Sequence, residues 1–218
     1  MRFVNIRNRP YATVIHQFSF AFFNKYAAQI KHTKWNHSKW KGLTLMKDPM
    51  SLNVYMMLIQ ELKPKTILEF GTYDGGSALW IEDTIKSLCL DCDIHTFDIN
   101  QDRVKLPKSS KIKSHQLDNT KINEFIDQKR ILFENLESPI LMIEDSHVNA
   151  NGLIIAINPF LKSGDYLIIE DTLDQNKYKD TILSEDGIRS LNYEVDTFYC
   201  DFWGANNSWN VNSIFKKL

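Results

Sequence analysis

TILEFGTYDGGS, residues 66–77, reads as a buried strand that runs into a glycine-rich turn and then opens a helix. Thr66–Phe70 is apolar and β-branched apart from Glu69, and Gly71 permits the tight turn that follows. Gly75 and Gly76 would leave the backbone bare enough for a ligand to approach, and Ser77 is placed to cap the helix behind them. A turn of this kind after the first core strand is where doubly wound α/β sheets bind ligands.

Outward from this point the same alternation continues. Short apolar runs recur at 93–99, 111–117, 139–144, 165–170, 193–199 and 212–217. Stretches long enough for crossover helices, at 77–88, 122–135 and 151–161, separate the early ones, which argues for βαβ units. The central runs are nearly continuous hydrophobics, as in strands covered on both faces. Residues 200–211 read as a loop, so the last two runs should pair antiparallel at one edge. The expectation is a doubly wound, seven-stranded, mostly parallel sheet over residues 48–218.

Ahead of the sheet, Asp48-Pro49 combines an N-cap with a proline at the first helical position. Leu52, Tyr55, Met56, Ile59 and Leu62 keep helical spacing until Pro64. Residues 1–47 are aromatic-rich (Phe18, Phe20, Phe22, Phe23, Tyr26, Trp35, Trp40) and should form a helical extension and a loop. Its phenylalanines exceed what one helix face can bury, which points to a surface for a homo-oligomer.

Composition sets the class. A net charge of −1 over 218 residues gives no basic field for a nucleic acid backbone, and the lysines at 105, 108, 111 and 113 read as a solvated face. The run Tyr11–Phe23 is interrupted by His16, Gln17 and Ser19, which argues against a signal peptide, and it is shorter than the ~20 apolar residues needed to span a bilayer. Cys89, Cys92 and Cys200 cannot all pair, and the CxxC lacks partners for a zinc site. The expected setting is the reducing cytoplasm.

The glycine spacing is not the dinucleotide pattern GxGxxG. With Glu69 at the strand end it suits the amino-acid part of S-adenosylmethionine better than a pyrophosphate. Contacts expected from this turn are Glu69, Gly71, Tyr73, Gly75, Gly76 and Ser77. Asp98 ends the second run where an acid accepts ribose hydroxyls. Asp118 and Asn119 fall where an adenine amino group would be met.

Two acid clusters follow, Glu144-Asp145-Ser146-His147 and Glu170-Asp171-Thr172, at the ends of adjacent strands. Four carboxylates in one crevice repel unless a cation, a proton or a lysine offsets them. Hard oxygen donors suit Mg²⁺, which would hold an acceptor hydroxyl and lower its pKa. His147 offers an imidazole base instead. A third reading has these acids capping helices and pairing with lysines.

In this order, Trp40-Lys-Gly42, Lys47-Asp-Pro49, KPKTILEFGTYDGGSALW, EDSH and SGDYLIIEDT resemble the cephalosporin hydroxylase and rhamnosyl O-methyltransferase family over roughly residues 35–175. The resemblance implies a Rossmann-like methyltransferase fold, class I, with its last strand antiparallel and S-adenosylmethionine over the carboxyl ends. It implies a divalent metal on acids matching Asp145, Glu170 and Asp171, with Glu144 toward the cofactor. The family's longer Asp/His-rich run is shortened here to Glu144–His147. Trp203, Asn206, Asn207 and Trp209, with Trp35, His37 and Trp40, are expected to line an acceptor pocket. The expected activity is methyl transfer to an oxygen of a small polar acceptor, such as a sugar, a phosphonate or a specialised-metabolite intermediate, with Asp145 and His147 catalytic. A nicotinamide oxidoreductase and a non-catalytic assembly protein on the same fold stay open as alternatives.

Overall fold

A computed structural model describes residues 1–13 and 38–218. The aromatic cluster from Phe18 to Trp35, His37 and the helical part of the expected extension lie outside the described residues. Among the described residues no helix is long and apolar enough to cross a membrane.

In chain order the elements are β1 (Phe3–Val4), β2 (Ser38–Trp40), β3 (Leu43–Leu45), α1 (Pro49–Leu62), β4 (Thr66–Phe70), α2 (Gly76–Ser87), β5 (Asp93–Asp98) and β6 (Lys113–Gln116). There follow α3 (Ile122–Gln128), α4 (Arg130–Glu134), β7 (Ile140–Glu144), α5 (Ala150–Ile157), β8 (Tyr166–Ile169), α6 (Gln175–Thr181), β9 (Tyr193–Asp196), α7 (Thr197–Cys200) and β10 (Ile214–Lys217). The main sheet has the order β1-β9-β10-β8-β7-β4-β5-β6. Strands β8, β7, β4, β5 and β6 are mutually parallel, and β10 lies antiparallel between β8 and β9.

All seven expected strands form. The sheet nevertheless has eight, because Phe3–Val4 pairs antiparallel with β9. A two-residue strand carries no periodicity, and what fixes it is the Arg2 guanidinium on the buried Asp196 carboxylate, 2.9 Å apart. The run expected to stay extended to residue 199 stops at Asp196. That carboxylate accepts the Phe198 amide at 3.0 Å and so caps the short helix α7 instead.

Central strands are covered on both faces: Ile67, Leu68, Leu141, Met142, Ile143, Leu167, Ile168 and Ile169 have no exposed surface. Helix α1 starts as its sequence requires, Asp48 accepting the amides of Met50 and Ser51. It buries Val54, Tyr55, Leu58 and Ile59 on one face, and Lys63 ends it in a left-handed conformation before Pro64.

The register makes the carboxyl ends level. Phe70 lies opposite both Phe97 and Glu144, and Glu144 lies opposite Ile169. Cross-links continue past the strands: the Gly71 amide donates to Phe97, Asp145 to Phe70 and Glu170 to Glu144, at 2.7–2.9 Å. Glu69, Asp98, Glu144, Asp145, Glu170 and Asp171 therefore end on one rim.

The hairpin β2–β3 packs on α2 beside the glycine turn. Asp74 accepts the Thr44 amide with both oxygens, at 3.0 and 2.9 Å. Trp40 donates its indole NH to Asp83 of α2 at 2.7 Å. The fit is close at Gly76, where a Cβ would fall 1.9 Å from the Thr44 carbonyl oxygen. Gly76→Ala should lift the hairpin off and cost about 2 kcal/mol in chemical denaturation; an unchanged midpoint would refute this seating.

Candidate active site

The turn after β4 is tight for a reason visible in its neighbours. Gly71 sits at φ 109°, and a Cβ there would come 2.4 Å from the Asp145 carbonyl oxygen. Tyr73 follows at φ 55°, its amide held by Asp98 at 2.8 Å. His147 and Asp171 also adopt left-handed φ, 60° and 59°. Uncommon backbone conformations thus gather at the rim, as they do at functional sites.

Two expectations about this turn are corrected. Ser77 does not cap α2: Gly75 is the N-cap residue, without a side-chain bond, and the Ser77 hydroxyl donates to Glu69 at 2.5 Å. Nor do the paired glycines leave open space. The room a side chain would need is filled by Thr44 at Gly76 and by Leu106 at Gly75.

Glu69 is fully buried, with Ser77 on one oxygen and Thr96 on the other at 2.8 Å. Burial pushes its carboxyl up to about 7, against the pull of those two hydroxyls and of Lys47. Asp98, half-buried, is steadied by the Tyr73 and Asn100 amides. Asp118 spends its carboxylate on the Thr120 amide and hydroxyl. Asn119 is buried, its amide directed at Ser146 Oγ and the Val148 carbonyl.

The acid cluster is offset by two lysines. Lys47, its side chain 5% exposed, lies 2.7 Å from Asp145 and 3.2 Å from Glu170. Burial alone would lower its pKa, but the charges of Asp145 and Glu170 prevail and raise it, so it stays an ammonium. Glu170 also takes the hydroxyl hydrogen bond of buried Tyr55. Burial drives the Glu170 carboxyl and the Tyr55 hydroxyl upward in pKa. Glu144 accepts the Ser146 amide and hydroxyl and the His147 amide on one oxygen, and Lys177 stands 3.1 Å from the other.

His147 faces three groups. Its Nε2 lies 3.2 Å from Asp171 and 3.6 Å from Asp145, and its Nδ1 contacts Lys177 Nζ. Asp171 raises the imidazole pKa, while burial and Lys177 oppose it. Burial would raise Asp171, but the hydrogen bond from His147 and the charge of Lys47 bring it below its ordinary value. Donor atoms of Asp145, His147 and Asp171 all come within 4.8 Å of one another.

Sequence reasoning missed Lys47, Tyr55, Asp74, Thr96 and Lys177. Lys47 carried a signal, since a cation just before a helix N-terminus opposes the helix dipole and needs another partner. The C-terminal loop differs from expectation too. Asn206 is buried in a network with Asn212, Arg9 and the Ala12 carbonyl, and Asn207 holds the Trp203 carbonyl. Trp203 and Trp209 remain partly exposed.

A parallel sheet with one antiparallel strand inserted near its edge, a glycine turn after its first core strand and acids along one rim define a Rossmann-like fold of the methyltransferase class. The family model described as Rhamnosyl O-methyltransferase/CmcI matches residues 32–187, and the chain belongs to that family. The rhamnosyl O-methyltransferase of Mycobacterium leprae is 26% identical over 142 residues, covering 63% of this chain. The chain spans 62% of that relative's length. Among solved structures, the CmcI-N160 apo structure matches with a TM-score of 0.68 at 24% identity, covering 97% of this chain and 87% of that one. The Mg-SAM complex of CmcI-D160 matches with a TM-score of 0.67 at 24% identity and the same coverage. At these identities the structural likeness is one of fold.

Proposed function

We propose that this chain transfers the methyl group of S-adenosylmethionine to an oxygen of a small polar acceptor, with a sugar hydroxyl the best-supported class. Family membership carries the reading. The name of the mycobacterial relative supports a sugar acceptor, and the Mg-SAM complex of CmcI supports the cofactor. In this proposal Asp98 accepts the ribose hydroxyls, and Glu69 draws the ammonium of the methionine part toward the turn Gly71–Ser77. Asp118 and Asn119 border the adenine, and Glu144 shapes the floor of the site through its bonds to Ser146 and His147.

The acceptor oxygen attacks the methyl carbon in line, the carbon–sulfur bond breaks toward sulfur, and the hydroxyl proton is released. Most of the acceleration comes from holding the two reactants in line. The donor set fits a divalent cation: Glu144, Asp145, Glu170 and Asp171 outnumber Lys47 and Lys177 by two charges, and Asp145, His147 and Asp171 converge. Such an ion would polarise the acceptor hydroxyl and lower its pKa. Asp145 and Asp171 would hold it. His147 is poorly disposed as a free base, because both ring nitrogens already have partners.

Calorimetric titration with S-adenosylhomocysteine tests the cofactor. Micromolar binding is expected; absence of binding, with and without Mg²⁺, would defeat the reading. Glu69 gives a pH signature. Its native pKa, about 7, lies above the ordinary 4.5, so the native state binds the extra proton. Its contribution to stability is therefore fully present below about pH 4.5 and is lost as pH rises toward 7, by roughly 3 kcal/mol. That slope should vanish in Glu69→Gln and flatten when S-adenosylhomocysteine supplies a compensating ammonium. A wild-type slope identical to that of Glu69→Gln would rule it out.

A further inference from the structure

His147 reaches the acid cluster from one side, and its partners decide which ring nitrogen carries the proton. Lys177 Nζ contacts Nδ1. An ammonium can only donate, so Nδ1 accepts and the one proton of the neutral ring stands on Nε2. That nitrogen faces Asp171 Oδ2 at 3.2 Å and, farther off, Asp145 Oδ1 at 3.6 Å. His147 therefore meets the aspartates as a hydrogen-bond donor.

The groups behind the ring hold it in that direction. Glu144 is fully buried, and its Oε2 lies 3.1 Å from Lys177 Nζ. Its Oε1 accepts the His147 amide at 2.9 Å, which supports the left-handed backbone at φ 60°. Asp174 caps α6 and accepts the Lys177 amide at 3.0 Å. One buried carboxylate thus seats both the imidazole and the ammonium that orients it.

We infer that His147 is a positioning residue, its Nε2–H holding one oxygen of Asp171 so that the other is left to the divalent ion. The inference rests on the methyltransferase reading for the presence of a metal, and the acids remain its donors. Asp145 shows the same division of labour. Lys47 holds Oδ2 at 2.7 Å, and Oδ1 is the oxygen on the His147 side. A hydrogen bond that orients a ligating carboxylate is worth about 10- to 100-fold in metal affinity.

The test uses the full chain with Mn²⁺, without cofactor, read by calorimetry and by pulsed electron paramagnetic resonance. The wild-type spectrum should show no directly coordinated nitrogen. His147→Ala should weaken Mn²⁺ by roughly 10- to 100-fold. The side chain is 46% exposed, so its removal should leave the fold in place. His147→Gln, whose amide N–H can stand where Nε2–H stood, should recover most of the lost affinity. A coordinated nitrogen in the wild type would overturn the inference, because the imidazole would then be a ligand. Wild-type Mn²⁺ affinity in His147→Ala would overturn it as well, even with stability reduced, and so would a glutamine variant as weak as the alanine one. No Mn²⁺ binding to the wild type at millimolar concentration would also defeat it. S-adenosylhomocysteine binding is measured separately, so failure of this role and failure of the cofactor reading leave different traces.

Discussion

Replacing Lys47 by methionine should lower the unfolding free energy by about 3–5 kcal/mol, the cost of leaving buried carboxylates without their counter-charge. Lys47 is nearly inaccessible and touches Asp145 at 2.7 Å and Glu170 at 3.2 Å. Methionine fills most of the volume, so the loss reports charge more than a cavity. The double variant Lys47→Met, Glu170→Gln should recover part of that loss, since it removes one of the stranded charges. Urea denaturation of the four proteins in the cycle measures the coupling. Single losses that simply add would mean that the pair is not formed in solution.

Asp98→Ala is the second large effect, and it falls on binding. A carboxylate that accepts two ribose hydroxyls is worth about 3 kcal/mol, or roughly 100-fold in the dissociation constant of S-adenosylhomocysteine. The Tyr73 and Asn100 amides hold this side chain on the rim, so the substitution also frees two loop amides. Asp98→Asn separates the two contributions, because it keeps one acceptor oxygen while removing the charge. Calorimetry on the alanine variant showing wild-type affinity would remove Asp98 from the ribose site, even if its thermal stability had fallen.

The succession of strands along the chain was readable because most are apolar runs bounded by turn residues, and because Asp48-Pro49 and Pro64 delimit α1 without help from tertiary contacts. The acids at the rim were readable because strand ends in a parallel sheet share one edge. What escaped was whatever depends on residues far apart in sequence. Arg2 finds Asp196 only once β9 is in place, and Phe3–Val4 has no strand pattern of its own. Lys47 and Tyr55 belong to α1 and the residue ahead of its cap, and nothing local says that they meet Glu170. Gly76 was legible as a glycine that matters, but its neighbour was not: the hairpin carbonyl at Thr44 fills the place that a side chain would take. Asn206 likewise looked like a pocket residue, because a polar side chain in a loop does not announce that Arg9 and the Ala12 carbonyl will come to satisfy it.

The position of β10 has a consequence for how the chain is made. Arg2 and Asp196 are 194 residues apart, and β9 reaches the rest of the sheet only through β10. As the ribosome delivers the chain, β4 to β8 can assemble in the order they emerge. Phe3–Val4, which emerges well before them, must wait for Ile214–Lys217 before its partner β9 has anything to lean on. Until then β8 carries an open edge, the kind of surface on which nascent chains associate wrongly. Synthesis and refolding should therefore share one late event, the insertion of a single four-residue segment that ties β9 and β1 to the rest of the sheet.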